Sequence, residues 1–212
     1  ALASASSVQE IVQGRFRDRL KQISSLVVSD PYLAAYVAQA TGEMDSASIL
    51  DLLTTKKQDL GFDFAIFLDP SGKVVAHTNR LNAVGRTLAG QPLVTKALAD
   101  YEAEGVWEED GRLYYAVVVP LQRDFTLLGF MVTGLAITEA AAQEIHDISG
   151  ADVAFVTRGA QGRPQVVATT LPKETARSLS EALGSRGDAL GRALQAGQKA
   201  EETEIELDGE PW

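Results

Sequence analysis

The residues with the most evident chemistry lie between two strand-like stretches in the first half of the chain. His77, Thr78, Asn79 and Arg80 leave one apolar run, Arg86 follows on the same polar stretch, and Trp107, Tyr114 and Tyr115 sit on the next pair of runs. Two arginines on one loop can grip a carboxylate through forked, charge-assisted hydrogen bonds, while aromatic side chains wall the rest of a small molecule. His77, Asn79, Arg80, Arg86, Trp107 and Tyr115 are therefore the expected ligand contacts. Strand side chains alternate, so only one of Tyr114 and Tyr115 can face a given pocket. Leu113, Tyr115, Val117 and Val119 share one side, and Tyr114, Ala116 and Val118 the other. The plainer reading makes His77 a solvated or locally bonded strand end, and Trp107 and Tyr115 core residues.

Other chemistries lack their residues. The two histidines, His77 and His146, are far apart, there is no cysteine, and HExxH, GxSxG and a phosphate-cradling glycine loop are all missing. No catalytic residue, metal site or cofactor is expected. Glu108, Glu109 and Asp110 crowd a hairpin tip and read as a solvated acidic turn, and Arg186-Gly187-Asp188 reads as a connector. A formal net charge of -10 repels phosphate backbones and anionic headgroups, so nucleic acid is not an expected partner.

The elements that must position these residues begin with helices. Apolar residues at Val8, Ile11, Val12, Phe16, Leu20, Ile23 and Val27, with Arg15, Arg17, Arg19 and Lys21 between, predict an amphipathic helix over residues 7–28. Ser29, Asp30 and Pro31 predict a cap and a second helix to about residue 39, and Ser46 opens a third that Gly61 closes. Then the period changes. Strands are expected at 63–68, 73–78, 105–109, 112–121 and 125–137, with the polar stretch 79–90 and a helix at 91–102 between the second and third. Asp69-Pro70-Ser71-Gly72 and Asp110-Gly111 mark tight turns.

Two stretches read as one unit written twice. FDFAIFLDPSGKVVAHT (62–78) and ADVAFVTRGAQGRPQVVATT (151–170) each give an apolar strand, a glycine-containing turn and a Val-rich strand ending in Ala and Thr. The second copy, after a helix at 138–148, has strands at 153–157 and 165–170, helices at 172–183 and 188–197, and a strand at 202–207. Two strands of the first copy have no counterpart in it, so it is expected to be incomplete.

The fold class is thus α+β. A long N-terminal helix feeding a five-stranded antiparallel sheet in this order resembles the extracytoplasmic PAS-like sensor fold called Cache, and the second copy resembles its tandem, double Cache form. The resemblance is carried by GFDFAIFLDPSGKVVAHT, LAGQPLVTKAL, GRLYYAVVVPL and LLGFMVTGLAI. It divides the chain into a helical segment (1–60), a first module (61–137), a connecting helix (138–150) and a truncated second module (151–212).

What the resemblance implies is a ligand-sensing domain outside the inner membrane of a bacterium. It would be anchored by membrane segments before and after it and coupled to a kinase, cyclase or chemoreceptor output. No run of about 18 apolar residues appears, and ALASASSV lacks the features of a signal peptide, so the chain reads as an excised piece. A small carboxylate such as an organic acid or amino acid is the expected ligand, held in the first module, since the second has Gly and Gln where a clamp would sit. Pairing of two copies along the N-terminal helix is weighed against packing of that helix on its own sheet. The alternative is a PAS-like protein-interaction or structural domain without a small ligand, and hydrolytic activity is a distant third.

Overall fold

The computed structural model describes residues 2–39, 46–159, 163–185, 206–207 and 210–211 of the chain. Two compact units emerge, one of residues 11–107 and 114–136, the other of residues 1–10, 108–113 and 137–212.

In the first unit, three helices precede the sheet: α1 (Leu2–Val28), α2 (Pro31–Gln39) and α3 (Ser46–Leu60). α1 starts five residues before the expected Ser7, because Ala and Ser in that stretch do nothing to stop a helix. Asp30 caps α2: its Oδ1 accepts the Tyr32 amide at 2.8 Å and the Leu33 amide at 3.4 Å, and Pro31 occupies the first helical position. Gly61, at φ 69°, leaves α3 in the left-handed conformation that glycine adopts cheaply.

Strands β1 (Phe64–Leu68), β2 (Val74–His77), β3 (Ala103–Glu109), β4 (Arg112–Arg123) and β5 (Thr126–Ala136) form one sheet in the order β2-β1-β5-β4-β3. The β1–β5 and β4–β5 ladders are antiparallel, pairing Phe64 with Gly134 and Val117 with Thr133. β3 begins two residues before the expected Gly105, since Ala103 is buried and continues the alternation. α4 (Pro92–Asp100) ends two residues before the expected 102, where Tyr101 turns left-handed at φ 70°. A 3-10 turn at Leu81–Ala83, which no sequence pattern announced, lies in the polar stretch before it.

The sheet has two buried faces. On the inner face Phe64, Ile66, Leu68, Tyr114, Ala116, Val118, Phe130 and Val132 pack with Ala83, Val94, Ala97 and Trp107. Gly134 makes that packing feasible: a Cβ there would run into the ring of Phe64. On the outer face lies α1, whose Leu20, Ile23 and Val27 are buried. Ser24 Oγ and Thr133 Oγ1, both wholly buried, meet at 2.5 Å between helix and sheet. The apolar stripe of α1 from Phe16 onward is thus a seam against its own sheet.

The second unit holds α5 (Glu139–Ser149), the hairpin β6 (Ala154–Arg158) and β7 (Pro164–Thr169), α6 (Lys173–Ser185), and a two-residue pair, β8 (Glu206–Leu207) with β9 (Glu210–Pro211). Gly150, at φ 68°, closes α5 as its spacing predicts. The repeat is visible in hydrogen bonds. In the first copy the Ala65 amide donates to Thr78 Oγ1 at 2.9 Å and the Thr78 amide to Ala65 O at 3.0 Å. In the second, the Val153 amide donates to Thr170 Oγ1 and the Thr170 amide to Val153 O, both at 2.9 Å. Each terminal Thr closes its hairpin in one way. The expected helix at 188–197 lies outside the described residues, as does most of the expected strand at 202–207.

Candidate functional site

The inner face is where the chemistry of the first module gathers. His77, 2 % exposed, pairs across the ladder with Ile66, and its ring stacks on Phe64 with centroids 6.2 Å apart. Its Nδ1 accepts the Asn79 amide at 3.2 Å, so in this geometry the proton of a neutral ring belongs on Nε2. Phe64 is the hub: Tyr114 meets it edge-to-face at 4.9 Å and Trp107 tilts against it at 5.9 Å. Such aromatic pairs are worth about 0.5–1.5 kcal/mol each beyond burial, which ties the floor of the site together.

The polar stretch 79–90 roofs this face at its β2 edge. The Gly85 amide donates to Val74 O, the Val74 amide to Arg86 O and the Leu88 amide to Gly72 O, each at 2.8 Å, which lays residues 85–88 along β2 like a short extra strand. Arg80 precedes the 3-10 turn and Arg86 follows it, tied back by its amide to Ala83 O at 3.0 Å. Arg80 is half-buried and Arg86 exposed. Of this roof Ala83 is buried in the core, while Leu81 and Val84 are 67 % and 45 % exposed.

Asn79 is engaged structurally. Its Oδ1 accepts from Lys57 Nζ at 2.9 Å and its Nδ2 donates to Asp63 O at 3.1 Å, stitching the end of α3 to the start of β1. Tyr115 lies on the other face, stacked on Phe16 of α1 at 5.3 Å with the planes 19° apart. The structure thus brings His77, Trp107 and Tyr114 onto one side of the sheet with Arg80 and Arg86 on the loop above. Tyr115 is separated from them by the sheet itself.

Sequence reasoning overlooked a polar group on that outer face. Glu104, on β3, forms an ion pair with Lys21 Nζ at 2.6 Å and accepts a hydrogen bond from Arg17 at 3.2 Å, both residues on α1. Burial opposes ionisation of Glu104, but the hydrogen bond and charge of Lys21, with the charge of Arg17, outweigh it and hold its carboxyl below the usual carboxylate range. The hydrogen bond that Lys21 donates to Glu104 correspondingly raises Lys21. The available signal was the i, i+4 spacing of Arg17 and Lys21, which puts them one turn apart on one helix face.

Comparison with known proteins gives this geometry its context. Residues 3–212 match the double Cache family model described as the double sensory domain of two-component sensor kinases. No curated protein matches the sequence. Among solved structures, the sensor domain of the Vibrio cholerae histidine kinase DctB is similar at TM-score 0.59 and 16% identity, over 81% of this chain and 66% of that one. The periplasmic domain of Vibrio cholerae LuxQ is similar at 0.53 and 12%, over 100% and 95%. The sensory domain of the Campylobacter jejuni chemoreceptor Tlp3, solved with isoleucine bound, is similar at 0.51 and 12%, over 99% and 81%. At these identities the structures share the fold with this chain, which spans about two thirds of the DctB domain. Among the described residues no helix is long and apolar enough to cross a membrane. With a family match along almost its entire length and a five-stranded sheet in the order these observations describe, the chain belongs to the double Cache sensory domains of two-component sensor kinases.

Proposed function

We propose that this chain is the extracytoplasmic sensing domain of a membrane-anchored receptor. It binds a small carboxylate-bearing ligand on the inner face of its first module and relays occupancy to a cytoplasmic output. The observation that carries this reading is a packed aromatic floor of Phe64, His77, Trp107 and Tyr114 beneath a loop with an arginine at either side of its 3-10 turn. Tied together below and lightly held above is the arrangement a ligand can close. The roof sets only Ala83 and Leu88 against the core and leaves Leu81 and Val84 exposed, so lifting it costs a few backbone hydrogen bonds and a small apolar contact, and Arg80 and Arg86 supply forked donors for a carboxylate. The isoleucine in the Tlp3 domain, itself a carboxylate, is consistent with the ligand class.

Relay follows from the seam of α1. A ligand that favours one position of the roof shifts the domain only by its differential affinity for the two states. A homodimer along α1 has to use a surface other than the stripe from Phe16 to Val27, which the sheet occupies; sedimentation or light scattering of a monomer at high concentration would argue against it. No catalytic step is assigned.

The test is a thermal-shift screen against amino acids and organic acids, followed by titration of hits into Arg80→Ala and Arg86→Ala. A ligand that binds only the folded state raises its stability by mass action. Loss of affinity in both variants is expected. Unchanged affinity would remove the arginine clamp, and no shift over the whole panel would favour the protein-interaction reading.

A further inference from the structure

The β3–β4 rim has a second feature, unconnected with the roof. A cleft of about 220 Å³ lies beside α1 where it crosses β3 and β4, lined by Arg17, Leu20, Lys96, Glu104, Val106 and Tyr115 among others. Tyr115 is 7 % exposed, and its hydroxyl, closed off from water, has no hydrogen-bond partner. Stranding a buried hydroxyl lowers stability, and native proteins seldom leave one so. Burial also pushes the phenol up to about 12, so it stays a hydrogen-bond donor throughout the physiological range.

The chemistry around that hydroxyl defines what would satisfy it. Within the lining, Lys21 and Arg17 already neutralise Glu104, and Lys96 is the cation that this pairing leaves over. The walls are otherwise apolar: Leu20 is fully buried, and Val106 stands at the mouth, 52 % exposed. Asp100 and Glu102 line the adjoining cleft of about 320 Å³ and disfavour a second negative charge close by. One carboxylate on a short apolar body fits this combination.

We propose that the cleft between α1 and the β3–β4 rim is a second small-molecule site, which takes a short aliphatic monocarboxylate through Tyr115 Oη and Lys96 and packs its tail on Leu20 and Val106. Such a site lies at the β3–β4 rim, lined from α1 and α4, away from the arginine loop and against the helix that would carry the signal. Occupancy there therefore adjusts the α1 seam directly.

The experiment is calorimetric titration of hexanoate, with succinate as the dianionic control, into the wild-type chain and into Tyr115→Phe, Lys96→Gln and the Arg80→Ala/Arg86→Ala double variant. Hexanoate binding is expected to weaken about tenfold or more in Tyr115→Phe and in Lys96→Gln and to persist in the arginine variant, with succinate failing to bind this site. Tyr115→Phe without ligand is expected to melt higher than wild type, because it deletes a stranded hydroxyl and keeps the ring. Absence of hexanoate binding to the wild type overturns the proposal. So does binding that Tyr115→Phe and Lys96→Gln leave unchanged, and if the arginine variant then abolishes it, the site is the inner face instead.

Discussion

The buried pair between α1 and β5 allows a quantitative forecast. Ser24 has one hydroxyl proton and donates it to Leu20 O at 2.7 Å, one turn back on α1. The 2.5 Å contact with Thr133 must then run from Thr133 Oγ1–H to Ser24 Oγ. Both side chains are 0% exposed, so neither can turn to water. Ser24→Ala removes the acceptor and strands the Thr133 hydroxyl, a loss of about 1–3 kcal/mol. Thr133→Val deletes the donor but leaves Ser24 bonded to Leu20, a loss of about 1 kcal/mol. The double variant strands nothing and should lose no more than Ser24→Ala alone, which corresponds to a coupling of about 1–2 kcal/mol. Urea unfolding followed by Trp107 fluorescence in a Trp212→Phe background reads the first unit. Losses that add to within about 0.5 kcal/mol would refute the donor assignment and the claim that the two hydroxyls depend on each other.

Gly134→Ala should destabilise the first unit by about 2–3 kcal/mol and lower its melting temperature, since the new methyl displaces Phe64 from the centre of its aromatic group. Asp30 is held below the usual carboxylate range by the hydrogen bond from Lys56, against burial and with help from the Tyr32 and Leu33 amides. Its contribution is therefore present above about pH 4 and lost as pH falls through its folded value. Asp30→Ala should lose about 1 kcal/mol at neutral pH and show a shallower acid-side decline in melting temperature. Tyr115 is raised by burial to about 12, so its contribution holds below about pH 10 and fades as pH climbs through the folded value. Spectrophotometric titration of the folded protein should show a tyrosine that ionises only near that upper limit and that Tyr115→Phe removes.

Local signals carried most of the fold. Asp69 was legible as a turn former, and its Oδ1 indeed accepts from the Ser71 and Lys73 amides at 2.8 and 3.0 Å. Asp110 and Gly111, at φ 53° and 71°, make the tight hairpin turn that their order implies. The five strands were legible along the chain because each is an apolar or alternating run and the turns between them have their own residues, whereas their spatial order β2-β1-β5-β4-β3 comes from the pairing. The 3-10 turn at Leu81–Ala83 escaped, because what fixes it is pairing of residues 85–88 with β2, a contact that no local pattern encodes. The candidate site was legible in part. The two-faced arrangement of Tyr114 and Tyr115 follows from alternation alone, yet which face meets α1 depends on where Phe16 falls on its helix. Asn79 looked like a ligand residue because it is polar and follows a strand, and only the positions of Lys57 and Asp63 show that its amide is already engaged.

The short stretch laid along β2 also guards a rim. A sheet in this order ends at β2 and β3, and a bare strand edge invites other chains to add to it. β3 carries Glu104, Glu108 and Glu109, which discourage such addition by charge. β2, with its uniformly buried Val74–His77, has no carboxylate to offer, and residues 85–88 occupy the hydrogen-bonding groups at its start, on Val74 and the preceding Gly72. On the reading proposed above, in which these residues move to admit a ligand, the empty domain with its roof raised exposes that edge. Protection against self-association and responsiveness to a signal then rest on one loop, and a variant tuned to open more easily should also be the one that precipitates first.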